Sequence, residues 1–411
     1  MHARIVLGVV SGTLWLCFAA SAQELTEREA IRLFLTRSPY AQEFHVGTAV
    51  VEAQTRGWNV WPNPQAGFEH EGAGLTQITR LQQSLPINGR LGMLRQAGFA
   101  AVQVARSQAE FSLWRLCSDM RQAFYELILT QQRESALKDS LDQLQEVVRI
   151  LGEREKHGEG SLFDRLRAEQ EQSDLRAELA STRASTAQAR SRLVSFLDGN
   201  VDPVSIRAQV EPGLAKDLPP LADLLQLASE NRQDYQSEQQ RQEQFRWEER
   251  AASRLRIPDP VVFAGIKRAE EPGGIKYGPH LGFSIAIPLF ERGQNRVAEL
   301  EAEVRRSSYR QEVLDQQIQS EVRGAYEELQ VRRQASDEYR LRLEQQGAQL
   351  EQIARLAYQE GELGILELLD SYRVRRQSLL RMLALNAASK QAEINLERAV
   401  GKPVLNPEVL P

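Results

Sequence analysis

Glu367 and Asp370 stand three residues apart in a segment of helical pattern, a spacing that puts both carboxylates on one helix face. Two acids so placed can draw a cation toward that face, or they can simply solvate it. The spacing alone leaves both readings open, because acidic residues are plentiful on every helical segment of the chain. The other reactive side chains are sparse. His2, His45, His70, His157 and His280 are scattered, and Cys117 has no thiol or imidazole near it in sequence, so no metal site is expected. No phosphate loop, G-x-S-x-G elbow or H-E-x-x-H run occurs. Neither catalysis nor a cofactor is expected.

Four glycines mark the other positions of interest. Gly158 and Gly160 lie in His157-Gly-Glu-Gly160, and Gly361 and Gly364 in Gly361-Glu-Leu-Gly364. Each pair separates two long helical patterns, where a chain reversal calls for residues that tolerate positive φ.

The elements that carry these turns are long. From about Leu91 to Lys156 there is no proline, and apolar residues recur at three- and four-residue steps, among them Phe111, Trp114, Cys117, Phe124, Leu127, Leu137, Leu141, Leu144, Val148 and Leu151. A helix of this length reads as part of a coiled coil or helical repeat. Leu162 to Phe196 returns as a shorter helix. Ahead of them, Leu25 to Ser38 reads as a short helix with a Thr26-x-x-Glu29 capping box, and Tyr40 to Gly57 as a second. Trp61-Pro-Asn-Pro64 ends helical structure. Strands are expected at about 65–71 and 77–85, split by Gly72-Ala73-Gly74.

After an irregular connector the plan restarts. Short helices are expected at Leu221–Arg232 and Tyr235–Arg254, a second break at Ile257-Pro-Asp-Pro260, and strands at 261–267 and 278–287. A long helix from Glu291 to about Tyr358 and a return from Ile365 to Val400 follow. Leu85-Pro86 recurs as Ile287-Pro288, and Arg121-x-Ala-Phe-x-Glu-Leu127 recurs as Arg323-x-Ala-Tyr-x-Glu-Leu329 at the same offset. Gly158-Glu-x-x-Leu-Phe-Asp164 recurs as Gly361-Glu-x-x-Ile-Leu-Glu367 one residue further on. The chain therefore reads as a first repeat at 23–199, a connector at 200–220, a second repeat at 221–400 and a tail at 401–411. Residues 1–22 read as a secretory signal, with Arg4, an apolar run and Ala20-Ser21-Ala22 before Gln23.

Composition excludes some classes. A net charge of −5 over 411 residues argues against a nucleic-acid binder, which needs a basic face. Cys17 falls in the signal, which leaves Cys117 and no disulfide framework. No segment after the signal is long and apolar enough to span a membrane as a helix, so an exported chain is either soluble or crosses with strands. Leu281, Phe283, Ile285 and Ile287 fall on one side of their strand, with His280, Gly282, Ser284 and Ala286 on the other. That is the apolar-out, polar-in alternation of a transmembrane barrel. Four strands do not close a barrel, whereas three copies supply twelve. The short upper helix and the return helix of each repeat, stacked end to end, nearly match the unbroken long helix. A wall of such columns makes a hollow cylinder beneath the barrel.

In helix, strand and repeat order the mature chain resembles the TolC-type outer-membrane efflux proteins. The most specific segment is Ala357-Tyr-x-x-Gly-x-x-x-Ile-Leu-Glu-Leu-Leu-Asp-Ser371. Asn63-Pro64, Glu69, Glu71-Gly72 and Leu85-Pro86-Ile-Asn-Gly89 are similar to the cobalt–zinc–cadmium resistance branch. The resemblance implies a mainly α protein with a small β part. In it, a homotrimeric 12-stranded outer-membrane barrel continues into a periplasmic α-helical tunnel. It implies a passive conduit that works with a periplasmic adaptor and an inner-membrane pump of the proton-driven RND type, in outer-membrane lipid. It also implies that Glu367 and Asp370 line an acidic ring at the periplasmic constriction, that Asp164 and Tyr358 belong to an entrance latch, and that the glycine tips meet the adaptor. Leu363 stands where other members carry the arginine of that latch, so the lock must be built differently here. Two other readings stay open at this point: the outlet of a type I protein secretion system, and a soluble periplasmic coiled-coil adaptor or scaffold. An adaptor should show a glycine-rich lipoyl-like β domain around one hairpin, and none is visible.

Overall fold

The computed structural model describes residues 23–72, 75–198, 202–210 and 217–405, with side chains 23, 344–348, 350, 351 and 359 left aside. The signal segment 1–22 and the Ala73-Gly74 part of the first turn lie outside the described residues. In chain order the elements are β1 (Gln23–Leu25), α1 (Glu27–Arg37), α2 (Pro39–Arg56), β2 (Gln65–Glu71), β3 (Thr76–Ser84), α3 (Arg90–Lys156) and α4 (Leu162–Phe196). They continue with β4 (Ile206–Ala208), α5 (Leu221–Asn231), α6 (Gln233–Ser253), β5 (Val261–Glu271), β6 (Gly274–Ser284), α7 (Gln294–Gln359) and α8 (Ile365–Val400).

Local chemistry sets most of these boundaries. The Thr26 hydroxyl accepts from the Glu29 amide at 3.3 Å while the Glu29 carboxylate accepts from the Thr26 amide at 3.2 Å, a closed capping box at the head of α1. Pro39 opens α2, where its missing N–H costs nothing. Gly89 and Gly293, with φ of +78° and +84°, hold the chain in the left-handed region just before α3 and α7. A tight turn precedes each of them, from the Ile87 amide to the Leu85 carbonyl at 2.8 Å and from the Leu289 amide to the Ile287 carbonyl at 2.9 Å. The duplication is thus visible in backbone hydrogen bonds as well as in sequence.

The helices make four columns side by side. Tyr40 at the head of α2 meets Phe196 at the end of α4, ring centroids 6.2 Å apart, so these two helices stack end to end. Arg232, just before α6, donates to the Ala399 carbonyl near the end of α8 at 3.0 Å and joins the second stacked pair. Between the stacked pairs runs α3, which packs on α2 and α6 above and on α4 and α8 below. On the far side of α6 and α8 runs α7, with Ser307 bonded to Glu238 and Ser336 to Asn386. The order is α2/α4, α3, α6/α8, α7. Within one copy the outer flanks of the first and last columns are uncovered.

The strands β2-β3-β5-β6 form one antiparallel sheet in that order. Its register puts Phe68, Thr79, Ile266 and Pro279 in one row and Ala66, Leu81, Ala264 and Leu281 in the next row of the same face. Leu281 and Phe283 are 71% and 73% exposed there, a large apolar surface that no other described residue covers. The opposite face carries Glu69, Arg80, Lys267 and His280. Arg80 pairs with Glu69 at 2.5 Å, and His280 stacks on Phe263 at 5.1 Å between centroids. The alternation expected for the last strand is present, but β6 ends at Ser284, so Ile285 and Ile287 lie beyond the strand. The second hairpin also reaches further than expected. Pro272-Gly273 is its whole turn, and pairing runs to Glu271 and Gly274.

The connector is not wholly irregular. Its β4 pairs in parallel with β1, and this small sheet closes an apolar knot of Leu25, Ile31, Phe34, Phe124, Leu127, Leu193 and Ile206. The second repeat has its own knot, from Leu224, Val322, Leu329, Leu396 and Val400.

Candidate functional site at the hairpin tips

Both long hairpins turn by the same backbone device. At the end of α3 the Gly158 amide bonds to the Glu155 carbonyl at 3.0 Å and the Glu159 amide to Arg154 at 2.9 Å. At the end of α7 the Gly361 amide bonds to Tyr358 at 3.2 Å and the Glu362 amide to Ala357 at 2.9 Å. This double bond across a left-handed residue is a Schellman motif. Gly158 and Gly361 have φ of +77° and +80°. Gly160 and Gly364 do not take positive φ. A Cβ on Gly160 would lie 2.9 Å from the Glu155 amide nitrogen, so close approach is what requires that glycine. Gly364 is extended at the N-cap of α8, with the Glu367 carboxylate folded against it.

Glu367 and Asp370 are exposed on the first turns of α8. A negative group at this place also favours the helix N-terminus electrostatically, which is the ordinary reason to find one there. The pair opens into a groove of about 360 Å³ shared with Arg167 of α4 and with Leu366, Leu369 and Arg373 of α8. The two carboxylates thus face two guanidiniums within one copy.

Asp164 and Tyr358 come from different hairpins and act on one another electrostatically. Tyr358 is half-buried at the end of α7, and that burial pushes its phenol above the ordinary value. The charge of Arg154 pulls it back, and Asp164 pushes it further up. The Arg154 guanidinium lies 5.9 Å from the Tyr358 ring centroid, within cation–π range. The basic group beside Tyr358 is thus Arg154 on α3, while position 363 holds a leucine. Sequence reading missed it, because a basic residue in the last turn of a helix already has a sufficient reason to be there.

A second polar contact joins the hairpins higher up. Glu171 of α4 accepts from Arg373 at 2.5 Å and from Arg376 at 3.3 Å, both on α8. Partial burial works against its charge, and the two guanidiniums outweigh that, holding its carboxyl below the usual range. Beneath lies an apolar seam of Leu137, Leu141, Leu144, Leu175, Leu179, Ile365, Leu368 and Leu369, from three helices. Among the described residues no group of histidines, cysteines and acids is arranged to hold a metal. No helix there is long and apolar enough to cross a membrane.

No protein-family profile matches the chain. Its fold is that of outer-membrane channel proteins. It superposes on the solved structure of CusC with a TM-score of 0.73 at 18% identity over 92% of each chain. VceC of Vibrio cholerae gives 0.72 at 17%, over 92% of this chain and 96% of that one. The Campylobacter jejuni CmeC outer membrane channel gives 0.73 at 12%, over 98% and 94%. The TolC-type resemblance expected from the strand, helix and repeat order therefore holds in three dimensions. In sequence, the chain is 26% identical over 356 residues to the cobalt-zinc-cadmium resistance protein CzcC of Cupriavidus metallidurans, covering 84% of this chain and 82% of that one.

Proposed function

We propose that this chain is the outer-membrane channel of a tripartite efflux system, a passive conduit for small solutes delivered by an inner-membrane pump through a periplasmic adaptor. The observation that carries the reading is the four-stranded sheet, apolar on one face and polar on the other, with both edges unpaired, at the head of four helical columns. Open edges of this kind call for closure by further strands. Three copies give a twelve-stranded barrel with Leu281 and Phe283 toward outer-membrane lipid and Arg80, Lys267 and His280 toward the lumen. The same symmetry sets α7 of one copy against α2/α4 of the next, which covers both bare flanks and makes a periplasmic tunnel. In this assembly the repeats are 23–199 and 221–400, and the hairpin tips form the mouth and meet the adaptor. Glu367 and Asp370 ring its lumen, and Arg154, Tyr358 and Asp164 form its latch. Metal cations are the favoured cargo, on the strength of the CzcC relative. Channel proteins, not enzymes, are what the chain is similar to.

The test is assembly in a Gram-negative host. The mature chain should pellet with the outer membrane, cross-link as a trimer and conduct ions in planar bilayers. A chain that stays in the soluble fraction after the membranes are pelleted refutes the channel.

A further inference from the structure

Between its two repeats the chain already contains one strand seam of the kind its open edges would need. β3 of the first repeat pairs with β5 of the second, from Gln77 opposite Arg268 to Ser84 opposite Val261. The contact runs on below the strands. The Leu85 amide bonds to the Pro260 carbonyl at 2.9 Å, and the Asn88 side chain donates to the Ile257 carbonyl at 3.0 Å. Both partners recur at the open edges, which are β6 and β2. Leu85-Pro86 after β3 matches Ile287-Pro288 after β6, and the same tight turn follows each. Pro258-Asp-Pro260 before β5 matches Pro62-Asn-Pro64 before β2, and each strand starts at the next residue.

Exposure shows which copy of the motif lacks its cover. Asn88 is buried on Ile257, whereas Phe290, at the matching place after the second turn, is 90% exposed. Trp61, which precedes Pro62 as Ile257 precedes Pro258, is 57% exposed. Ile285 and Ile287 match Gln83 and Leu85 of the inner seam, yet they lie beyond the end of β6.

We infer that the seam between copies repeats the β3–β5 seam inside one, with Phe290 seated on Trp61 of the next copy as its anchor. This seam rests on the channel reading. β6 then runs antiparallel to β2 of the next copy, with the Ile287 amide on the Pro64 carbonyl, Ala286 opposite Gln65, Phe283 opposite Phe68 and His280 opposite Glu71. Phe283 and Phe68 stay on the apolar face and His280 and Glu71 on the polar one, which a slip of one residue would reverse. Each row climbs from Gly67 through Arg80, Gly265 and His280 to Glu71 of the next copy. Four residues gained over four strands is a tilt of about 35°, at ~3.3 Å per residue and ~4.8 Å between strands, within the range of closed barrels. At the anchor, an aromatic contact replaces the hydrogen bond of the inner seam.

Cysteine pairs in the full mature chain read the register, since the native Cys117 is buried. Gln65→Cys with Ala286→Cys sets two thiols directly opposite. Gln65→Cys with Ser284→Cys, and Gly67→Cys with Ala286→Cys, are each two residues out. Opposed positions fall within the ~4.4–6.8 Å Cα separation a disulfide needs, and diagonal ones at ~7–8 Å do not. Copper-phenanthroline oxidation of outer membranes should turn most of the first variant into covalent trimer on a non-reducing denaturing gel, and severalfold less of the other two. A shifted pair that links as well overturns the register. So does a first pair that fails to link while amine cross-linking still shows its trimers. For the anchor, Phe290→Ala and Trp61→Ala should each speed trimer dissociation in detergent severalfold, and the double variant no more than either. Unchanged or additive rates overturn it. Should the first cysteine pair not assemble, the Phe290–Trp61 cycle decides. A wild type that gives no trimer by amine cross-linking is a different result, and it removes the channel reading itself.

Discussion

Replacing Arg121 by methionine tests the charged joint that ties the two repeats together. Arg121 on α3 is 2% exposed. Its Nε donates to Glu27 at the start of α1 at 2.6 Å, and its Nη1 donates to Glu397 near the end of α8 at 2.7 Å. Each acid has other donors. Tyr125 donates its hydroxyl to Glu27 at 2.6 Å, and the Val404 and Leu405 amides donate to Glu397 at 2.9 and 3.0 Å. The joint therefore fastens the N-terminal helix, the longest helix, the last helix and the tail. Removing one partner from a buried pair costs about 3–5 kcal/mol, because the remaining charge is left uncompensated. Here two carboxylates are left, so the loss should lie in the upper part of that range near neutral pH, even though their other donors remain. The variant Glu27→Gln, Arg121→Met, Glu397→Gln keeps the acceptors and removes the charges, and it should be more stable than Arg121→Met alone. Denaturant unfolding followed by circular dichroism on both variants and the wild type, at one fixed protein concentration so that the proposed trimer weighs equally in each, makes the comparison. A loss below about 0.5 kcal/mol for Arg121→Met, the range of ordinary surface changes, would refute the argument. So would a triple variant no better than the single one.

Four further outcomes are expected. Gly158→Ala and Gly361→Ala should each loosen a hairpin tip by about 1–2 kcal/mol, since both require left-handed backbone; faster amide exchange at 154–162 and 357–365 would show it, with Gly364→Ala milder. Burial pushes the Cys117 thiol up to about 12, so the folded protein should resist a thiol reagent at pH 8.5 and react only on unfolding. An unfolded cysteine ionises near pH ~8.5 and the folded one does not, so this residue lowers stability as pH rises above that value. Leu281→Arg on the apolar sheet face should cost ~2–4 kcal/mol in the bilayer and reduce the amount recovered in outer membranes, whereas Lys267→Gln on the polar face should not. Glu367→Ala with Asp370→Ala should lower cation selectivity in reversal-potential measurements, and unchanged selectivity removes the acidic ring.

Much of this fold is legible in the sequence, because long helices need uninterrupted periodicity and their ends are set by single residues. Pro39, Ser161 and the tip glycines fix the ends of α2, α4 and the two long hairpins to within a residue or two of expectation. The extra reach of β5 and β6 was hidden by Lys267 to Lys276, whose charges and Pro272-Gly273 pattern read as a loop although the residues pair. The β1–β4 pair was hidden for a different reason. Each strand has three residues, and Gln23 finds Ile206 across the whole first repeat, so no local pattern announces it.

The site divides along the same line. Glu367, Asp370, Asp164 and Tyr358 could be named because a spacing or a motif marks them. The Arg154–Tyr358 contact, the partners of Arg121 and the ion pairs of Glu171 could not, because each depends on a helix far away in sequence. Arg121 shows the limit most clearly. Its repeat partner Arg323 sits in the same motif, yet Arg121 is buried and Arg323 exposed. The difference lies in what each faces. Arg121 looks across the seam between α3 and α8 of its own chain, where Asp119–Arg398 and Gln122–Asn395 also pair. Arg323 lies on α7, the last column, whose outer flank has no neighbour in one copy. Duplication copied the residue but not its partners. The seam inside the chain is therefore fixed by buried charge, and in the proposed trimer the seam between copies must be held by other contacts.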